Sequence, residues 1–105
     1  MLFVAGQIGW TEGSTLVSDR FVEQFDQALA NVLTVVKAAG GAAESVSRLT
    51  IFVTDKRQYV SAKEEIGQRY RARMGRHYPA MSLVEVKGLL EPGALVEIEA
   101  TAVIS

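Results

Sequence analysis

The run from Pro79 to Ile104 constrains this chain most. It reads PAMSLVEVKG, then LLEPG, then ALVEIEATAVI. Two β-type runs flank a short break, a spacing that predicts a tight hairpin-like unit. Within the second run Glu97 and Glu99 stand two apart, so a strand points both to one face, while Val96 and Ile98 point to the other. Acids on a strand that must also bury aliphatics are costly unless their face is wet or occupied. Function is expected around position 81 and the pair Glu97 and Glu99.

Upstream, Leu2 to Ile8 is a short apolar run with Gly6 in its middle. It predicts a strand, with a bulge or a close approach of another group at Gly6. Trp10 follows in a polar loop, where packing is its expected use. Ser18-Asp19 reads as a helix start, and Phe21, Phe25, Ala28, Leu29, Val32, Val36 and Ala39 recur at helical spacing until Gly40-Gly41. Val46 to Thr54 predicts a strand with Leu49, Ile51 and Val53 on one face and Arg48, Thr50, Phe52 and Thr54 on the other. Asp55 is a candidate cap for a second helix over Tyr59 to Arg73, with Val60, Ile66, Tyr70 and Met74 inward. Its arginines and lysines alternate with Glu64 and Glu65 and read as a solvated face.

The element order is β–α–β–α–β–β in one α+β domain spanning residues 1–105. Long helices between strands favour crossovers, and both helices are expected on one face of a single mixed sheet. The other face has no cover, yet it carries Phe52 and part of the Leu83-Val84 run, so self-association is expected.

Composition removes several function classes. With 105 residues, net charge −1 and no cysteine, the chain lacks a basic field for nucleic acid, thiolate metal ligands and a cysteine nucleophile. The one histidine, His77, argues against a histidine metal centre. No apolar run approaches the roughly 20 residues that span a bilayer. No membrane partner is expected, and a cytoplasmic location is the expectation.

Several stretches resemble one family. FVAGQI, QALANVLTVVKAAGG, SRLTIFVTD, YPAMSLVEV and LVEIEATAV are similar, in that order, to the motifs of the reactive-intermediate deaminase group, also called RidA, YjgF or L-PSP endoribonuclease-like. The resemblance covers nearly the whole chain. It begins downstream of an N-terminal strand that supplies the family site with an aromatic residue. It implies a chorismate-mutase-like α+β fold and a homotrimer whose sheets face a central core, with clefts between subunits. It implies hydrolysis of small-molecule enamines and imines without cofactor or metal.

Carried over by position, the resemblance makes Glu97 the catalytic, water-orienting acid. It puts Ser82, Leu83 and Gly6 beside the substrate. Met81 stands where the family has its carboxylate-gripping arginine, and Lys63 where many members have an asparagine. An arginine fork makes two parallel charge-assisted bonds to a carboxylate, whereas methionine offers an apolar, polarizable surface. The expected activity is thus a deaminase acting on an imine without a free α-carboxylate. The alternative is a non-catalytic trimer that binds a small metabolite. A ribonuclease is the least favoured reading.

Overall fold

The computed structural model describes all residues from Met1 to Ser105. Four strands form one mixed sheet: β1 (Leu2–Ile8), β2 (Val46–Val53), β3 (Ala80–Glu85) and β4 (Val96–Ala102). Their spatial order is β1-β4-β2-β3. β4 runs antiparallel to both of its neighbours, and β2 and β3 are parallel. The predicted hairpin between the last two strands therefore does not form. β2 lies between them, because the chain from Val86 to Leu95 carries β4 past β2 into the middle of the sheet. The main chain pins this crossing, with Val86 N donating to Val53 O and Thr54 N to Leu95 O.

Helix α1 (Phe21–Ala38) lies across β1 and β4. Its predicted stripe is buried from Phe21 to Val36, and Leu33 and Val22 join it. The helix begins two residues later than a Ser18 cap would place it. Ser18 Oγ accepts from Arg20 N and so closes the turn before the helix, while Arg20 is the cap position and makes no side-chain cap. Ala39 lies past the last helical residue and is exposed, and Gly40 follows with φ of 92°. That left-handed conformation is the one glycine adopts freely after a helix.

The second helical region is two helices, α2 (Lys56–Ser61) and α3 (Lys63–Met74), separated at Ala62. Asp55 caps α2 as expected, accepting from Arg57 N. Ile66, Tyr70 and Met74 are buried, but Val60 is exposed, and its neighbour Tyr59 packs against the core instead. The basic stretch is partly structural. Arg73 forks onto Asp26 of α1, with Nε to Oδ1 at 2.6 Å and Nη2 to Oδ2 at 3.1 Å, and Arg69 Nη1 reaches Oδ2 at 3.2 Å. His77 also serves the fold: its Nε2 lies 2.6 Å from Val46 O, and its own carbonyl accepts from Tyr70 Oη. Burial pushes the Tyr70 hydroxyl up to about 12, so it stays a donor.

The core lies between the helices and one sheet face, filled by Leu49, Ile51, Val53, Val96, Ile98, Ala100 and the α1 stripe. Arg48, Thr50, Phe52, Glu97, Glu99 and Thr101 share the opposite face, which no helix covers. No helix is long and apolar enough to cross a membrane.

The hydrogen bond from Arg73, reinforced by Arg69, holds the Asp26 carboxyl below its usual range. A lowered folded-state pKa stabilises above the unfolded value and is lost as pH falls through the folded value. Asp26→Asn is expected to cost about 1–2 kcal/mol at neutral pH, with partial exposure of both arginines keeping it at that level. Urea denaturation should show the gap to the parent protein shrinking below about pH 4. A gap that persists undiminished at acid pH contradicts the clamp.

Candidate functional site

A bulge in β1 sets the geometry around Glu97. Up to Val4 the strand pairs regularly with β4, Phe3 opposite Thr101 and Val4 opposite Ala100. The register then shifts between Val4 and Gln7, so Gln7 pairs with Ile98 and Ile8 with Glu97. One extra residue reverses which face each later side chain takes. Val4 and Gln7 both end on the α1 side, and Ile8 is turned onto the open face beside Glu97. Ile8 is buried there, away from the main core.

Gly6 sits in the bulge, and the Glu97 side chain lies over it. A methyl group at Gly6 would fall 2.6 Å from both Glu97 Cδ and Oε2. No ordinary side chain fits beneath that carboxylate, so here glycine answers a close approach rather than a positive φ. Both sequence readings of Gly6 describe the same feature: the bulge is what brings the backbone to the acid.

Around this pair the chain forms a small cleft lined by Gly6, Ile8, Trp10, Leu90, Glu91 and Glu97. Trp10 comes from the turn after β1, and Leu90 and Glu91 from the connection before β4. Asn31 of α1 holds the first turn, its Nδ2 donating to Ile8 O at 3.0 Å and Trp10 O at 2.9 Å. Gln27 Nε2 donates to Asn31 Oδ1 at 2.9 Å and so fixes which end of that carboxamide faces the turn. Sequence reasoning missed Leu90, Glu91 and Asn31 as site elements. The signal for Asn31 was a polar residue at the flank of an apolar helical stripe, a position that solvent explains equally well. Leu90 is 99% exposed in the single chain, an apolar side chain at the rim with nothing over it.

The remaining candidates lie elsewhere. Met81, Ser82 and Leu83 occupy β3, the sheet edge farthest from β1, and all three are exposed. Register aligns Met81 with Leu49 and Leu83 with Ile51, on the helix side, while Ser82 aligns with Thr50 on the open face. Glu97 aligns with Phe52 and faces the open side. Within one chain, then, Met81 and Glu97 are on opposite faces of the sheet with β2 between their strands. Lys63 is exposed in the first turn of α3, directly after the break at Ala62. Glu99 is exposed on the open face, in a shallow groove with Phe3, Arg48, Thr50 and Thr101. No group of three or more histidine, cysteine or acidic side chains is arranged to hold a metal ion.

The family model for endoribonuclease L-PSP matches residues 1–104. The chain belongs to that family. A human 2-iminobutanoate/2-iminopropanoate deaminase is 31% identical over 103 residues, covering 97% of the chain and 72% of the human protein. A RutC family protein of Haemophilus influenzae is also 31% identical, covering 98% of the chain and 78% of its own length. Among solved structures, the Rid-family protein YyfB of Yersinia pestis superposes with a TM-score of 0.84 at 33% identity, covering 96% of the chain and 76% of YyfB. Escherichia coli TdcF, solved with bound serine, gives 0.84 at 31% identity, covering 98% of the chain and 80% of TdcF. The motifs from FVAGQI to LVEIEATAV thus belong to a RidA/YjgF-type chain, with the α+β fold of that family.

Because only the flexible end of Glu97 opposes it, Gly6→Ala is expected to leave the fold intact, with a stability change below about 1 kcal/mol. It should displace the Glu97 carboxyl, visible as a shifted side-chain carbonyl resonance in carbon-detected NMR. An unmoved resonance contradicts the close approach.

Proposed function

We propose that this chain is the subunit of a homotrimeric enamine/imine deaminase whose cleft is completed by the β3 edge of a neighbouring copy. The observation that carries the reading is the Glu97 carboxylate held over Gly6 in a cleft walled by Ile8, Trp10 and Leu90. Support for the chemistry comes from family membership and from relatives named as iminobutanoate/iminopropanoate deaminases. Support for assembly comes from the uncovered sheet face, the exposed Leu90 at the cleft rim, and the distance between the two halves of the candidate site within one chain.

The reaction needs no group beyond those of the chain. An enamine first takes a proton on carbon and becomes an iminium. Glu97 accepts a proton from water as the water oxygen bonds to the iminium carbon, giving a carbinolamine. Returning that proton to nitrogen lets the C–N bond break, with the electron pair leaving on ammonia and the oxygen closing to a carbonyl. Each iminium and water yield one carbonyl compound and one ammonium ion. General acid–base help of this kind is typically a factor of about 10² to 10⁴.

Met81 sets the substrate class. At the position of the family's carboxylate-gripping arginine it offers no donor, so the favoured substrate is an imine whose α-carboxylate is absent or masked as an ester, amide or thioester. Lys63 is the one candidate for returning positive charge to that wall. A non-catalytic binding trimer is the second reading, favoured by the solved TdcF structure with bound serine and by the same loss of arginine.

Ammonia release should be measured on paired imines, one with a free carboxylate and one with it masked. Turnover is expected on the masked member, and Glu97→Gln should lower it by about 10² or more. Turnover on neither member favours the binding reading, and an unchanged rate in Glu97→Gln removes the acid from the chemistry. Met81→Arg is expected to raise kcat/KM for the carboxylate-bearing imine by about tenfold or more, the worth of one charge-assisted bond. No gain would mean that position 81 does not meet the substrate's carboxylate.

A further inference from the structure

Gln24 is the one polar side chain buried with the core, at 0% exposure. It interrupts the apolar stripe of α1 between Phe21 and Phe25, where an aliphatic residue would need no hydrogen-bond partners of its own. A buried carboxamide is tolerated only when its polar atoms are bonded. Gln24 Nε2 donates to Ser18 O at 2.9 Å and to Gly93 O at 3.1 Å, spending both N–H groups, and Oε1 accepts from Leu95 N at 2.8 Å.

The location of these partners matters. Gly93 and Leu95 end the connection that presents Leu90 and Glu91 to the cleft, and Leu95 directly precedes the strand that carries Glu97. Gly93 has φ of 85°, so this turn has a specific left-handed shape to be held. The same residue touches the other cleft turn through its backbone. A methyl group at Gly9 would lie 2.6 Å from Gln24 Cα and 2.7 Å from Gln24 O, so the Gly9-Trp10 turn rests directly on this point of α1. One helical residue thus sets both the Trp10 wall and the Leu90-Glu91 wall, without lining the cleft itself.

We infer that Gln24 is a positioning residue for the Glu97 cleft: its buried carboxamide fixes the turn ahead of β4 relative to the turn after β1, and so sets the cleft's width and the placement of Glu97. The catalytic half of the inference rests on the deaminase reading. The geometric half does not.

Two variants and three readouts test it. Gln24→Met keeps length and removes all three bonds. Gln24→Glu keeps the acceptor, and regains one donor only when its carboxyl is protonated. Trp10 is the only tryptophan of the chain, so its fluorescence and acrylamide quenching report on the cleft directly. Amide exchange at Leu95 reports on the released turn, and kcat and KM on a masked imine report on the site.

Gln24→Met is expected to fold, with Trp10 more readily quenched, Leu95 exchange faster by about tenfold or more, and kcat lowered more than KM is raised. Gln24→Glu should behave likewise at neutral pH and recover towards the parent values at acid pH. Parent-like quenching and exchange in both folded variants would overturn the inference, and so would failure of both to fold at any pH, which would assign Gln24 to the fold as a whole. If the parent protein turns over no imine, the deaminase reading fails, while fluorescence and exchange still decide the role of Gln24.

Discussion

The pairing of β4 between β1 and β2 is the constraint on which everything else depends. It is the most non-local pairing in the chain, joining residues 96–102 to both 2–8 and 46–53. It buries Val96, Ile98, Ala100 and Ala102 against α1 and aligns Glu97 and Glu99 along the uncovered face. It also leaves β3 as an outer edge, exposed along its whole length. The acid and the Met81 strand are separated by the same step that completes the core.

The β1 bulge converts that scaffold into a site. Without the extra residue, Ile8 would follow Val4 onto the helix side, and Gly6 would not lie beneath Glu97. With it, an apolar wall and a bare stretch of backbone flank the acid. The helix beneath then serves two purposes. Its apolar stripe fills the core, while Gln24 and Asn31 supply hydrogen-bond partners that the irregular turns need and cannot find in a ladder, and Gln27 orients Asn31. Polar residues on this helix are therefore linked to cleft geometry as much as to stability.

Much of this was legible in residue order. The α1 stripe, the two faces of β2, the break in regularity at Gly6 and the shared face of Glu97 and Glu99 all follow from period and residue type. Strand partners did not. LLEPG between two β runs looks like a hairpin loop, and only the competing burial of β4 between two strands makes it a crossing connection. The break at Ala62 was hidden because Val60 and Ile66 are both apolar and alanine is a good helix former. Gln24 was invisible for a different reason: a glutamine within an apolar stripe is ambiguous until its hydrogen-bond partners, 69 and 71 residues downstream, are known.

The proposed function rests on a cleft shared between copies, with the Glu97 wall of one subunit facing the β3 edge of the next. The chain has no cysteine, so single cysteines can report this cleanly. A Met81→Cys, Glu97→Cys protein should be treated with a short bis-maleimide and resolved on a denaturing gel. The two positions lie on opposite sheet faces in one chain, so a cross-link between them within a subunit is disfavoured. A covalent ladder ending at three subunits is expected, with the 81–97 link identified by mass spectrometry. Monomers carrying only dead-end modifications at both cysteines would contradict it.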